Sequence, residues 1–189
     1  EVARATRVPL PAEAQNLPFV GGAVGYLGFE LGREIERVPA TTDDDVGAPI
    51  LAMGWYDAAV VCDAVASRAW LVGCPDAVAA LRRRLTAPAA LRRQILGSPL
   101  IAHTSREAYL AAVGRALDYI RAGDIYQVNL SQRFQTTITG EGLDLYQQLR
   151  EASPAPFAAY LDMRGGSGGV EVISSSPERF LLRDDGHLE

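Results

Sequence analysis

The sequence predicts an α+β fold. Short strand-like runs are separated by turn residues and close as antiparallel hairpins, while helical periodicity comes in separate stretches instead of alternating strand by strand. Composition bounds the reading. The chain has 189 residues, 48% hydrophobic and 22% charged, which is ordinary globular composition and enough length to bury a core.

Along the chain, Pro9 and Pro11 fall in a start without apolar period, so residues 1–17 read as an extended lead-in. The main body then runs from 18 to 189. It opens on Phe19 to Gly32, where Gly21, Gly22, Gly25, Gly28 and Gly32 alternate with Val, Tyr, Leu and Phe. Glycines permit close backbone approach and the interleaved residues favour a strand, so this is a strand packed tightly against another. No Gly-Lys-Ser/Thr follows, which excludes a phosphate loop. Residues 52–61 and 69–72 read as two strands around a turn at 63–68. Val78, Leu81 and Leu85 stand at helical spacing in 76–86, with Arg82, Arg83 and Arg84 on a solvated face.

Thr104 and Glu107 form a capping box and Gly123 is a stop signal, so a helix is expected over 105–122. Its apolar face of Tyr109, Leu110, Val113, Ala116, Leu117 and Ile120 is suited to cover a sheet. A strand over 124–136 follows, with Tyr126, Val128 and Leu130 on one face and Gln127, Asn129, Ser131 and Arg133 on the other. That polar face is either solvent-exposed or the lining of a polar pocket. A helix over 143–152 ends at Ser153-Pro154-Ala155-Pro156, which cannot continue it. Strands over 157–163 and 170–174 flank the turn Arg164-Gly165-Gly166-Ser167-Gly168-Gly169, and a third begins at Phe180.

Composition and charge also exclude functions. The net charge is -5 and all 18 basic residues are arginine, which disfavours a nucleic-acid binder and removes lysine as a Schiff base or nucleophile within these residues. Cys62 and Cys74 are too few for a disulfide framework and read as reduced core thiols. His103 and His187 sit in no nucleophile motif. No signal peptide stands at the start, and the most apolar stretch, 51–74, contains Asp57, Asp63 and Arg68, so no membrane span is expected and a cytoplasmic location is. The turn signal Asp184-Asp185-Gly186 lies close to the last residue, which suggests that both ends lie inside a larger protein.

The most unusual local constellation is Ser176-Pro177-Glu178-Arg179-Phe180, a carboxylate next to a proline-fixed bend at the end of an apolar strand. Partly desolvated, such a carboxyl serves as a general acid. A surface Glu-Arg pair in a turn is the alternative, worth under about 1 kcal/mol.

Four motifs in order resemble the chorismate-utilising enzymes: Pro18-Phe19 with Gly21 to Arg33, Arg121 to Phe134, Ala155-Pro156-Phe157, and Ser175 to Phe180. The aminodeoxychorismate synthase type is the most similar. The resemblance implies an α/β/β/α sandwich of two sheets with covering helices, of which this chain is the first part. It implies chorismate as substrate, Mg²⁺ as cofactor, and ammonia from a glutamine amidotransferase subunit or domain, on the route to 4-aminobenzoate and folate. Glu178 matches the family's general acid on the departing 4-hydroxyl, with Gln127 and Asn129 on a supporting polar strand. Pro156, Phe157 and Ala158 match the place where family members hold tryptophan. Here Glu151-Ala152-Ser153-Pro154-Ala155-Pro156-Phe157-Ala158 replaces the Asn-Pro-Ser-Pro-Tyr-Met of feedback-inhibited anthranilate synthases. The resemblance places the catalytic lysine, the Mg²⁺ ligands and most substrate contacts beyond Glu189. Amination at C2, as in anthranilate synthase component I, is the alternative activity. A non-catalytic piece that binds tryptophan or the amidotransferase is a third reading.

Overall fold

A computed structural model of the chain describes residues 16–88, 93–165, 169–184 and 186–188. The lead-in expected over 1–17 therefore lies almost wholly outside the described residues. Two units make up the chain, Glu1–Leu91 with Phe157–Glu189, and Arg92–Pro156. The fold class is α+β, and every strand pair among the described residues is antiparallel.

In the first unit, β1 (Gly22–Leu27) pairs with β2 (Leu51–Tyr56) over six rungs. Gly25 explains the glycine-rich sequence, because a Cβ there would come within 1.9 Å of the Ala52 carbonyl oxygen. The Tyr26 hydroxyl donates to the Pro49 carbonyl at 2.8 Å. The strand expected to run to Gly32 stops at Leu27. A 3-10 turn at Phe29–Leu31 and the one-turn helix α1 (Gly32–Ile35) take its place.

The single strand expected over 52–61 is two. At Asp57 the chain leaves the β2 ladder and begins β3 (Ala58–Asp63), which pairs with β4 (Arg68–Gly73) around a turn at 64–67. The Asp57 carbonyl accepts from Cys74 N–H at 2.8 Å, and Gly73, at φ 130°, allows the close approach. The Asp63 carboxylate closes the turn by accepting from Val65 and Ala66 N–H, both at 2.9 Å. Cys62 and Cys74 are free but exposed, which corrects their placement in a core. Cys62 pairs with Ala69 near one end of the hairpin and Cys74 follows Gly73 at the other. Four rungs separate these ends by roughly 13 Å, too far for a disulfide. Helix α2 (Pro75–Leu85) has proline at its first position, where no intrahelical N–H is needed, and carries its arginine run exposed.

The second unit holds β5 (Leu96–Gly97), β6 (Ile101–Ala102), α3 (Arg106–Ala122), β7 (Phe134–Gln135), β8 (Ile138–Thr139) and α4 (Gly142–Ala152). The cap of α3 is Ser105, whose Oγ accepts from Ala108 N–H at 3.1 Å, one residue beyond the expected Thr104. Gly123 ends it at φ 83° and the Asp124 N–H returns to the Tyr119 carbonyl, the geometry of a glycine stop. Among the described residues none of α3 is fully buried: Tyr109, Val113 and Ala116 are half-buried, while Leu110, Leu117 and Ile120 of the face expected to cover a sheet are exposed.

The strand expected over 124–136 is a correction of greater consequence. Residues 127–133 form no strand, and Gln127 and Asn129 are exposed in irregular backbone. A strand persists only where a neighbour satisfies its N–H and C=O groups. Such neighbours occur at β7 with β6 and β8 with β5, two rungs each.

Back in the first unit, β9 (Phe157–Asp162) pairs with β10 (Glu171–Ser176) over six rungs, and β11 (Arg183–Asp184) pairs with β12 (His187–Leu188) over two. Among the described residues Val72 on β4 is the one buried apolar side chain, while Phe29, Trp55, Tyr126 and Phe180 are exposed.

Candidate functional site

The β9–β10 hairpin brings together two of the motifs singled out in the sequence. Phe157, at the start of β9, lies opposite Ser176, at the end of β10. Just past that rung, Pro177 fixes the backbone and the Ser176 Oγ donates to the Glu178 carbonyl at 3.0 Å. The next residue turns back, so that the Arg179 guanidinium lies 5.4 Å from the centre of the Phe157 ring. Glu178 thus stands on a bend held from both sides, with its side chain exposed. The partial desolvation envisaged for it is not supplied by the described residues.

At the other end of the hairpin is a polar cluster that the sequence reading passed over. Asp162 and Glu171 face each other directly, a like-charge pair that destabilises a ladder unless compensated. Arg164 compensates it, with Nη2 at 2.8 Å from Asp162 Oδ2 and 3.5 Å from Glu171 Oε1. Its Nε also donates to Asp162 Oδ1 at 3.0 Å, and its backbone N–H at 3.1 Å. These bonds hold the Asp162 carboxyl at about 2, below its ordinary 3.8. The Tyr160 hydroxyl donates to Glu171 Oε1. Partial burial, and then that bond to an anion, push the tyrosine up to about 12 from 10.0. The visible signal was the placement of Asp162, Arg164 and Glu171 around a glycine-rich turn. Residues 166–168 of that turn lie outside the described residues.

In the second unit the polar residues are arranged differently. His103 donates from Nε2 to Gln135 Oε1 at 2.9 Å and accepts at Nδ1 from Arg133 Nη2 at 3.1 Å. Ser98 Oγ lies 3.1 Å from Thr136 Oγ1 and accepts from Thr137 N–H at 3.1 Å. Neither Gln127 nor Asn129 belongs to this cluster. Pro156 ends the second unit, whereas Phe157 and the partly buried Ala158 open β9 in the first.

A cleft of about 460 Å³ lies at the turn end of the β3–β4 hairpin, lined by Val61, Cys62, Asp63, Trp70 and residues 16–18. It contains none of the expected site residues. Among the described residues no three His, Cys, Asp or Glu side chains converge as metal ligands, and no helix is long and apolar enough to cross a membrane. A Mg²⁺ ion therefore has no fitting donor set within them.

Residues 2–189 match the family of chorismate binding enzymes. The chain is 38% identical over 181 residues to aminodeoxychorismate synthase component 1 of Klebsiella aerogenes, covering 95% of this chain and 39% of that protein. It is 40% identical over 188 residues to anthranilate synthase component 1 of Thermus thermophilus, covering 94% of this chain and 40% of that protein. The crystal structure of anthranilate synthase component I from Streptococcus pneumoniae is similar at a TM-score of 0.75 and 25% identity, over 92% of this chain and 42% of that one. The two curated relatives are thus spanned over about two fifths of their length.

Proposed function

The chain belongs to the chorismate binding enzyme family, and from that premise we propose that it is the part of an aminodeoxychorismate synthase that carries the proton donor, Glu178. The reaction replaces the 4-hydroxyl of chorismate by an amino group: ammonia supplies the nitrogen, the C–O bond breaks, and the oxygen leaves as water. Hydroxide is a poor leaving group near neutral pH. A carboxylic acid aimed at that oxygen removes the difficulty by delivering a proton as the bond breaks. The bend at Pro177, fixed by the Ser176 bond to the Glu178 carbonyl, is the observation that supports this role. Glu178 is exposed among the described residues, so enclosure of the acid comes with substrate and with residues of the longer protein.

The C4 assignment is supported by Glu151 to Ala158, where Ala155-Pro156-Phe157 stands in place of the segment expected for feedback-inhibited anthranilate synthases. The 40% identity to the Thermus thermophilus protein favours a second reading, amination at C2 with loss of pyruvate. Ammonia comes from a glutamine amidotransferase partner. Mg²⁺, which the family resemblance implies, would be held by residues outside the described ones.

The test is to incubate the longer protein with chorismate, ammonium and Mg²⁺ and identify the product. Aminodeoxychorismate is expected, and anthranilate would overturn the C4 assignment. The Glu178→Gln variant should lose activity about 10²-fold to 10⁴-fold, and near-wild-type turnover would remove the acid role.

A further inference from the structure

The bend that carries Glu178 is an extension of β10, so its position depends on the register of the β9–β10 ladder. Little else in the hairpin specifies that register. One face carries Phe157, Ala159, Leu161, Val172, Ser174 and Ser176, and the other mixes Ala158, Tyr160 and Ile173 with Asp162, Glu171 and Ser175. Neither is uniformly apolar, and register is weakly fixed where the two faces are mixed.

Glu171 supplies what the pattern lacks. Its direct partner is Asp162, and it is held from both sides of that partner, by the Tyr160 hydroxyl and by Arg164. Moving β10 by two residues one way sets Glu171 opposite Tyr160 and takes it four positions from Arg164. The other direction sets it opposite position 164 and takes it four from Tyr160. A one-residue slip turns it to the other face. Both bonds are made together only in the observed register. We propose that Tyr160, Asp162, Arg164 and Glu171 are a register lock, positioning residues that set where Glu178 stands. A two-residue slip would displace the bend relative to Phe157 by roughly 7 Å. The lock's effect on catalysis rests on the assignment of Glu178 above; the lock itself does not.

Cross-strand disulfides test it in the longer protein with Cys62 and Cys74 replaced by serine. Facing ladder positions lie within disulfide reach. Ala159→Cys with Ser174→Cys reports the observed register, whereas Ala159→Cys with Val172→Cys or with Ser176→Cys reports the two slips. With Glu171 present, the first pair should oxidise and the other two should not. After Glu171→Ala the slipped pairs should oxidise as well, and yields that ignore Glu171 would overturn the lock. In the activity arm, Glu171→Ala should lower kcat on the order of tenfold at unchanged KM, since displacement of a catalytic group acts on the reacting geometry. Oxidising the 159–174 pair in that variant should restore turnover, and a loss the disulfide does not restore would overturn positioning through register. If the crosslinks behave as expected while Glu178→Gln keeps full activity, the acid assignment fails and the lock stands.

Discussion

Residues 157–176 and residues 124–139 both carry strand-forming residues beside a signature motif, and they fold differently. The first becomes a six-rung ladder whose ends hold a fixed bend and a charged cluster. The second becomes irregular backbone, with two rungs at each of two short pairings and hydroxyl and imidazole groups bonding beside them. Strand propensity is comparable, since Ile125, Tyr126 and Val128 are as suited to a strand as Tyr160, Leu161 and Val172. The difference is the neighbour. Strand β9 finds its partner nine residues on, while residues 125–132 have no facing backbone among the described residues. Strand propensity is thus permission to form a strand, and pairing decides it.

Chemistry separates the two regions most sharply. Removing the carboxyl at Glu178 should cost about 10²-fold to 10⁴-fold in turnover by the longer protein, because it withdraws the proton donor. Gln127→Ala and Asn129→Ala, in the irregular region, should each cost about tenfold or less, the effect of a supporting contact of about 1 kcal/mol. Parallel kcat and KM measurements on the three variants check this. Equal losses would move the irregular segment into the reacting site and break the contrast.

Hydrogen exchange gives the next largest difference. Ladder-bonded amides of β10 open only with the hairpin, whereas residues 127–131 lack ladder bonds. Amide protection measured residue by residue should be distinct at the alternate, ladder-bonded residues within 171–176 and close to absent over 127–131. Comparable protection would mean that the irregular segment acquires a partner strand in solution.

The same contrast explains what could be read from the sequence. Helices α2, α3 and α4 were legible to within a residue or two because proline, glycine and capping side chains act locally. Even there Ser105 took the cap from its neighbour Thr104, since both side chains can accept the same N–H groups. The β9–β10 hairpin was legible because its strands adjoin its turn. The exchange of partners at Asp57 was not, because 52–61 is continuously strand-like and only pairing divides it. For the same reason the polar strand failed, and the charges around Glu171 stood in view without their pairing, since which charges meet across a ladder follows from register. At Glu178 the sequence left two readings open, a partly desolvated acid and a surface Glu in a turn, and among the described residues its side chain is exposed.

Titration of the charged end of the hairpin is a smaller effect, confined to the ladder region. Asp162 is depressed to about 2, so its contribution is fully present above its ordinary 3.8 and is lost as pH falls through about 2. Tyr160 is raised to about 12, so its contribution is fully present below its ordinary 10.0 and is lost as pH rises through about 12. Side-chain NMR should give those midpoints, and Arg164→Ala should move the Asp162 midpoint up toward 3.8. An Asp162 midpoint unaffected by that substitution would remove Arg164 as the cause.

The smallest expected effect sits at the opposite end of the same hairpin, where Arg179 lies over Phe157. A guanidinium over an aromatic face at an exposed site contributes about 0.5–1 kcal/mol, and Phe157 is 39% exposed, so the low end applies. Single substitutions blur this with lost packing. A double-mutant cycle over Arg179→Gln and Phe157→Leu isolates the pair, since leucine keeps the apolar bulk and lacks the ring quadrupole. A coupling of about 0.5 kcal/mol in denaturant unfolding is expected. Because the contact joins the residue after Glu178 to the first rung of β9, the same cycle run on kcat separates two roles. Coupling in stability alone makes the contact a surface tie. Coupling in kcat as well makes it the near anchor of the bend, with Glu171 the far one.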